Sequence, residues 1–431
     1  MLEPKGLFLN WKKLAMSVRK REWTTPGGAA RSAWVVDYVD SGGKRRLKTF
    51  AKKKEADAFS ATASVEVRIG IHVADSASVT VSKAGEFWLA SAKASGLERS
   101  TLDQYRQHVE LHINPLIGET LLSKLNVPAV RAFEDELRET GRSQAMVRKI
   151  MVSLGSLLAD AMERGLVGRN VIREKSRARQ KGKDKRLERR QKGKLKVGVD
   201  IPTREEIKAI IGALDGRWRP LLLTAIFAGL RASELRGLRW ADVDLGRREI
   251  RVHQRADRFN DIGRPKSEAG ERSVPIPPMV ANALREWKLM YPRPVVGRDE
   301  NGKLTREDAR AEHLVFPNGV GKVESLANII NRGLLPIQVA AGVCNSTPEI
   351  PQSAGDVTVK ARYTGMHALR HFYASWCINR PADGGLGLPP KVVQERLGHS
   401  SIVMTMDVYG HLFPRGDDGE ELAAAERALL A

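Results

Sequence analysis

HALRHFYASWCINRPADGGLGLPPKVVQERLGHSSIVMTMDVY spans residues 367–409 and carries three kinds of side chain that bind phosphate. Arg370 supplies a guanidinium, His367 and His399 supply imidazoles, and Tyr409 supplies a phenol. On a helix, His367 and Arg370 are three residues apart and therefore share one face. That face can present one planar guanidinium and one imidazole to a single anion.

A second arginine, Arg231, lies far upstream in the segment AGLRASEL (228–235). Gly229 gives the backbone room to turn into a helix, because glycine tolerates conformations that other residues avoid. Glu234 lies in the first turn after Arg231 and can hold its guanidinium. The simplest alternative is that these two residues form only a surface salt bridge.

Together these segments resemble the motifs of the tyrosine recombinases, also called phage-type integrases. Arg231, His367-x-x-Arg370, Leu397-Gly398-His399 and Tyr409 occur in the order and at the spacing of that family. Each motif alone is weak, but the combination is specific. The resemblance is closest in the C-terminal half of the chain and looser before it.

The resemblance implies how the chain would bind a DNA phosphodiester. Arg231 and Arg370 would hold the non-bridging oxygens, because guanidinium groups are permanently charged and bidentate toward phosphate. His399 would donate a third hydrogen bond. This fixed positive charge would compensate the charge that develops in the transition state.

The resemblance also implies the covalent chemistry. Tyr409 would be the nucleophile, forming a 3′-phosphotyrosine and releasing a 5′-hydroxyl. Lys266, in RPKSE (264–268), would be the general acid, and His367 would act as base or orient the phosphate. Tyr409 needs such help because a phenol has a pKa near 10. The alternative is that Tyr409 has only a structural role, as a half-buried aromatic residue of the core.

No metal or cofactor is expected. His367 and His371 are four residues apart, as in zinc proteases, but Glu is absent beside His367 and no third ligand is evident. His371 is expected to pack or to hydrogen-bond below the site. The covalent intermediate would store the energy of the broken bond, so resealing would need no ATP.

Composition favours a nucleic-acid partner. The chain has 431 residues, enough for two or three domains, and a formal net charge of +21. Such an excess favours a polyanion, although a ribosomal or generally basic protein is the alternative. Cys344 and Cys377 suggest neither a disulfide framework nor a zinc knuckle. No apolar run is long enough for a membrane span, and a bacterial, nucleoid-associated protein of the cytoplasm is expected.

The N-terminal region 1–72 is predicted to be a β-β-β-α module. Trp34 to Val39 is rich in β-branched and aromatic residues, the sequence around Gly43 indicates a hairpin, and Lys52 to Val67 is predicted to be a helix. The module resembles the arm-binding domain of phage integrases, whose sheet enters a DNA major groove. A solvated basic hairpin that merely covers apolar surface is the alternative.

The remaining chain divides into four parts. Residues 78–172 are predicted to be a helical core-binding domain, with Ser100 and Pro128 at helix starts and a break at Pro115-Leu116-Ile117-Gly118. Residues 173–200 are a basic linker, and 201–415 form a mixed α+β catalytic domain. Residues 416–431 form a helical tail that packs on its own domain or on a neighbouring subunit. The fold class is therefore multidomain, mainly α with small antiparallel β-sheets.

The resemblance implies a site-specific integrase that inserts or excises a prophage or other mobile element. Its partner would be double-stranded DNA at attachment sites, bound by a homotetramer. A host DNA-bending protein and an excision factor are further partners whose need the sequence leaves open. The alternatives are a recombinase that resolves chromosome or plasmid dimers, a non-catalytic DNA-binding protein on this fold, and a type IB topoisomerase.

Overall fold

The computed structural model divides the chain into two compact units, Met1–Lys183 and Asp184–Ala431. The structure describes residues 16–40, 43–70, 72–174, 194–265, 267–290, 295–298, 300–301, 304–306, 312–347, 358–414 and 418–431. Most of the predicted basic linker 173–200, part of the predicted Gly43 hairpin and the predicted general acid Lys266 lie outside these ranges. Within them, no helix is long and apolar enough to cross a bilayer.

The first unit begins with an antiparallel three-stranded sheet. Its elements are β1 (Ser17–Thr24), β2 (Ala30–Val39), β3 (Arg45–Phe50) and helix α1 (Lys53–Arg68). Side chains alternate between the two faces of a strand, so Val36 and Tyr38 lie on one face, and they pack with Ala56 of α1. The predicted β-β-β-α order is thus present.

A helical block completes the first unit. Its helices are α2 (Val81–Ala94), α3 (Arg99–His108), α4 (Asn114–Ile117), α5 (Val127–Glu139) and α6 (Gln144–Glu163). Thr80, Asn126 and Ser143 cap α2, α5 and α6 by accepting hydrogen bonds from backbone N–H groups. A core of buried apolar side chains, among them Ile113 and Leu154, joins these helices.

One local prediction in this block is wrong. Ser100 does not cap α3, because the helix already begins at Arg99 and Ser100 lies inside its first turn. The predicted break at Pro115-Leu116-Ile117-Gly118 is present within that segment, because the helical path runs through the π-turn Val109–Ile113 into α4 and ends at Ile117. A proline in the first turn needs no N–H partner, so it is tolerated there.

The second unit is mostly helical. Its helices are α7 (Arg204–Ala213), α8 (Trp218–Ala228), α9 (Ala232–Gly237), α10 (Pro278–Leu289), α11 (Leu326–Asn328), α12 (Leu335–Ala340), α13 (His367–Ile378), α14 (Pro390–Leu397), α15 (Ile402–Tyr409) and α16 (Asp418–Leu430). A capping box between Thr203 and Glu206 starts α7, as predicted. Helix α8 is apolar on all sides, which is typical of a helix inside a core, and most of its side chains are buried.

Short strands accompany these helices. They are β4 (Val243–Asp244), β5 (Glu249–Val252), β6 (Arg255–Ala256), β7 (Ile262–Gly263), β8 (Arg272–Pro275), β9 (Val295–Arg298), β10 (Leu304–Arg306), β11 (Cys344–Thr347) and β12 (Thr358–Ala361). The predicted pairing of the Ile250 and Val274 strands is present, since β5 and β8 are antiparallel and these residues lie opposite each other. The predicted fold class, mainly α with small antiparallel sheets, is confirmed. The domain boundaries stay predictions.

Candidate active site

Arg231 is positioned by the sharp turn between α8 and α9. Gly229 ends α8 in the left-handed conformation (φ +58°), which favours glycine, and a Cβ there would lie 2.1 Å from the Tyr373 ring. Arg231 follows in extended conformation and caps α9. Its backbone N–H donates to Glu234 Oε2 at 2.8 Å, and its Nη1 donates to Glu234 Oε1 at 2.7 Å. The predicted contact between Arg231 and Glu234 is therefore present.

Glu234 is shared with a further arginine. This carboxylate is 2% exposed, and Arg272 of β8 donates to it through Nη2 at 2.9 Å and Nη1 at 3.2 Å. Burial alone would raise the pKa of Glu234. The charge and hydrogen bonds of Arg272, with the charge of Arg231, outweigh burial and lower this pKa to about 2. The carboxylate therefore remains charged.

Sequence reasoning missed Arg272. Nothing in the local sequence singles it out, because its partner Glu234 lies 38 residues away. Its Nε also donates to the carbonyl oxygen of Arg396 at 2.7 Å, near the end of α14. Arg272 thus connects β8, the Arg231 turn and the segment that leads to His399.

Arg370 lies in the interior beside the same turn. It is 2% exposed, and its Nη1 donates to the carbonyl oxygen of Gly229 at 2.6 Å, while Nη2 donates to that of Leu397. Burial and the nearby charge of Arg231 lower the pKa of Arg370 to about 10, still far above neutral pH. Arg231 reaches the adjacent carbonyl, because its Nη2 donates to Gly398 at 3.0 Å. The structure therefore brings the two predicted arginines together across the Leu397–Gly398 backbone.

His399 follows a second left-handed glycine. Gly398 (φ +62°) ends α14, and a Cβ there would lie 2.8 Å from the Ala269 carbonyl oxygen. His399 is buried, and its Nδ1 lies 2.9 Å from Thr405 Oγ1. Burial and the charges of Arg370 and Arg231 lower the pKa of His399 to about 4, so the ring is neutral at pH 7.

Tyr409 ends α15 with its side chain inside the unit. It is 2% exposed and lies parallel to the His399 ring, with centroids 6.2 Å apart. Its hydroxyl hydrogen-bonds to His371 Nδ1 at 2.7 Å. Burial raises the pKa of Tyr409 to about 12, although Arg370 and Arg231 act in the opposite direction. The phenol is therefore protonated at neutral pH.

His367 and His371 occupy one end of α13 but differ in surroundings. His367 is exposed in the first turn, whereas His371 is half-buried beside Tyr409, and the ring centroids are 4.8 Å apart. Loss of hydration and the charges of Arg370 and Arg231 lower the pKa of His367. The sequence predicted that His371 would pack or hydrogen-bond below the site. The structure shows that its partner is the Tyr409 hydroxyl.

The site is cationic and dominated by nitrogen donors. Arg231, Arg272 and Arg370 surround one carboxylate, Glu234, so the described ionised groups carry a net positive charge. No group of three or more His, Cys, Asp or Glu among the described residues is arranged to hold a metal ion. The arrangement suits an anion placed next to a buried tyrosine.

Comparisons with known proteins point in one direction. The chain is 26% identical over 396 residues to a XerC-like tyrosine recombinase of Caldanaerobacter subterraneus, covering 87% of this chain and 90% of that protein. It is 24% identical over 334 residues to the ICEBs1 integrase of Bacillus subtilis, covering 76% and 78%. It is 29% identical over 195 residues to the Tn916 transposase of Enterococcus faecalis, covering 44% and 41%.

The solved structures agree on the fold. The Tn1549 transposon integrase in complex with transposon right-end DNA superposes with a TM-score of 0.57 at 18% identity. The superposition covers 82% of this chain and all of that one. No protein-family model matches the chain.

Proposed function

We propose that the chain is a site-specific DNA recombinase of the tyrosine recombinase family, and that it cuts and rejoins DNA through a phosphotyrosine at Tyr409. The observation that carries this proposal is the placement of Arg231 and Arg370 on adjacent carbonyls next to Tyr409 and His399. A phosphodiester in this site would meet two permanent charges, a neutral imidazole and a phenol.

Each residue has a separate role in the proposed reaction. Arg231 and Arg370 hold the two non-bridging oxygens and stabilise the charge that develops as the phenol attacks. His399 donates to the same phosphate. The Tyr409 oxygen bonds to phosphorus, and the 5′-oxygen leaves with a proton from Lys266. His367, which is exposed at the start of α13, orients the phosphate in this proposal.

The proposed chemistry would require neither a metal ion nor ATP. Two guanidinium groups provide the charge compensation that metal ions provide in other phosphoryl transfers. The phosphotyrosine retains the energy of the broken bond, and a 5′-hydroxyl from a second duplex can reseal it. Strand exchange is therefore the expected outcome, with water excluded as nucleophile.

We propose that the N-terminal sheet binds DNA with the face opposite to α1. Cross-strand pairing places Arg21 opposite Ala33 and Trp23 opposite Arg31, so these side chains share one face with Arg19. Helix α1 covers the other face. The three arginines are exposed, and a two-stranded or three-stranded ribbon fits a major groove.

The assembly would be a tetramer on two duplexes. In this proposal, the helical block 78–172 grips the crossover core together with residues 201–415, and the basic segment 173–200 runs along the phosphates. Helix α16 exposes Leu422, Leu429 and Leu430, which suits packing on a neighbouring subunit. A host DNA-bending protein and an excision factor complete the proposed nucleoprotein complex in the bacterial nucleoid.

A mobile element is the preferred context. The ICEBs1 integrase and the Tn916 transposase among the relatives are named for mobile elements, and the N-terminal sheet fits the arm-binding module of integrases. A recombinase that resolves chromosome or plasmid dimers is the second candidate, favoured by the long match to the XerC-like relative.

A recombination assay with two plasmids tests the proposal. One carries the attachment site that flanks the gene, and the other carries the host site, with EDTA present and ATP omitted. We expect a recombinant junction, and we expect none with Tyr409→Phe. Relaxation of any supercoiled plasmid without recombinants would indicate a topoisomerase. Resolution of direct repeats alone would favour the second candidate, and DNA binding without any strand cleavage would refute an enzyme.

A further inference from the structure

We propose that His371, rather than His367, is the base that receives the Tyr409 proton during DNA cleavage. This inference rests on the proposed function, because it assigns a residue to the attack of Tyr409 on a phosphodiester. It concerns a side chain that lies outside the six residues indicated by the family motifs.

The geometry separates the two histidines. His371 Nδ1 lies 2.7 Å from the Tyr409 hydroxyl, which is within the range for direct proton transfer. His367 forms an edge-to-face contact with the His371 ring and is exposed. His367 therefore faces the side from which a phosphate would enter, whereas His371 faces the phenol.

The surroundings of His371 keep it able to accept a proton. Burial, and then the charges of His367 and Arg370 on its own helix, lower the pKa of His371 to about 4, while Asp200 acts in the opposite direction. Tyr409 is the remaining titratable group that faces it. At neutral pH the ring is therefore uncharged, and in the tautomer with its hydrogen on Nε2, Nδ1 can accept the phenol hydrogen.

Phosphate binding would shift this pair toward proton transfer. A bound phosphodiester adds a negative charge beside Arg231 and Arg370, and a negative charge stabilises an imidazolium nearby. The transfer then accompanies bond formation, so a free tyrosinate need not accumulate. This matters because burial raises the pKa of Tyr409 to about 12.

The proposed step balances in protons and bonds. The Tyr409 O–H bond breaks, its hydrogen moves to His371 Nδ1, and the freed oxygen bonds to phosphorus. The bond between phosphorus and the 5′-oxygen breaks, and this oxygen takes a proton from the general acid, proposed to be Lys266. In the resealing step, the 5′-hydroxyl gives its proton back to the general acid and its oxygen bonds to phosphorus, the bond between phosphorus and the Tyr409 oxygen breaks, and His371 returns its proton to that oxygen.

His371→Asn tests the assignment, with His367→Asn as the matched control. The Asn amide oxygen can accept the phenol hydrogen bond but cannot take the proton. Single-turnover formation of the covalent adduct on a nicked duplex is measured between pH 6 and 9. The duplex carries either the natural 5′-oxygen or a bridging 5′-sulfur at the scissile phosphate. A 5′-sulfur leaves without a proton, so it compensates for loss of an acid and not of a base.

We expect His371→Asn to slow adduct formation by about 10²- to 10⁴-fold at pH 7. Its rate should rise about tenfold per pH unit, because the reactive species is then the tyrosinate, whereas the wild-type rate stays flat. The 5′-sulfur should not restore the rate. His367→Asn should keep a flat profile.

Several results would overturn the assignment. One is adduct formation by His371→Asn at the wild-type rate with no dependence on pH. Another is restoration of the His371→Asn rate by the 5′-sulfur. A third is a rate for His367→Asn that rises with pH. If His371→Asn does not bind DNA, His371→Ala with added imidazole carries the test, and imidazole that fails to restore cleavage overturns the proposal. Absence of any adduct with wild-type protein on either duplex would instead refute the proposed function.

Discussion

At the residue scale, Glu234 is the group on which the cationic site depends. It is buried between Arg231 and Arg272, and it is the carboxylate that both of them bind. Removing its charge would leave a buried guanidinium without its counter-charge, which is far more costly than losing a surface ion pair. The sequence indicated the Arg231 contact because Glu234 follows at helical spacing. Arg272 could not be found this way, since only folding brings it near.

Glu234→Gln should lower the free energy of unfolding by about 3–5 kcal/mol at pH 7 and abolish DNA cleavage. The matched control is Glu286→Gln, whose carboxylate forms an exposed pair with Arg219. We expect that control to change stability by less than about 1 kcal/mol. Urea denaturation of both variants provides the comparison, and equal losses would contradict this account of Glu234.

The stability difference between wild type and Glu234→Gln should depend on pH, because only the wild type carries the Glu234 carboxyl group. Because the folded-state pKa of Glu234 is about 2, below the ordinary 4.5, its stabilisation is present above pH 4.5 and is lost as pH falls through 2. The difference in unfolding free energy between wild type and Glu234→Gln should therefore be constant near neutrality and shrink in that acidic window. Urea titrations at several pH values measure it, and a difference that grows on acidification would show the opposite sign.

At the element scale, two turns that contain glycine position the residues of the site. Gly229 sets the start of α9, and Gly398 sets the segment between α14 and α15. The sequence predicted that Gly229 turns the chain into a helix, and the positive φ confirms it. The sequence could not predict that the ring of Tyr373, a residue 144 positions later, packs closely against Gly229.

Gly229→Ala should destabilise the protein more than Gly216→Ala. Both glycines have a similar left-handed φ, +58° and +56°. Alanine at either position should therefore lower the free energy of unfolding by about 1–2 kcal/mol through backbone strain. Only at Gly229 would the new methyl meet an aromatic ring, and overpacking adds about 1–3 kcal/mol. Chemical denaturation measures the difference. Equal costs would mean that the Tyr373 ring moves aside freely.

The remaining elements show where sequence patterns suffice and where they fail. The capping box of α7 was predictable because both partners, Thr203 and Glu206, lie within one turn. In the region 317–365, by contrast, polar contacts of the described residues join positions that are distant in sequence. Gln338 donates to the carbonyl oxygen of Tyr363 at 2.7 Å and accepts from its N–H at 2.9 Å. A local sequence pattern does not predict such a pair of contacts.

At the scale of the whole molecule, the chain carries a large excess of positive charge. The net charge of +21 predicts strongly salt-dependent binding. Composition could indicate a polyanionic partner but not which surface binds it. The strand register is the basis of our proposal for that surface, because it places Arg19, Arg21 and Arg31 together on the sheet face away from α1.

Replacing Arg19, Arg21 and Arg31 by alanine should weaken binding to the distal arm sites and leave binding to the crossover core unchanged. The logarithmic salt dependence of arm binding should become shallower by about 3, one unit for each lost phosphate contact. The matched control removes Lys52, Lys54 and Arg68, which are exposed cations at the ends of α1. Filter binding over a salt series compares them, and an equal effect would argue against a specific DNA face.

The most direct test of the central claim is to trap and map the covalent complex. The protein is mixed with a nicked duplex that carries its own attachment site, in EDTA, and the adduct is digested and sequenced by mass spectrometry. We predict a phosphodiester bond between the DNA 3′ end and Tyr409, and no adduct with Tyr409→Phe. An adduct at another residue, an adduct that persists in Tyr409→Phe, or a strict need for a divalent metal would contradict it.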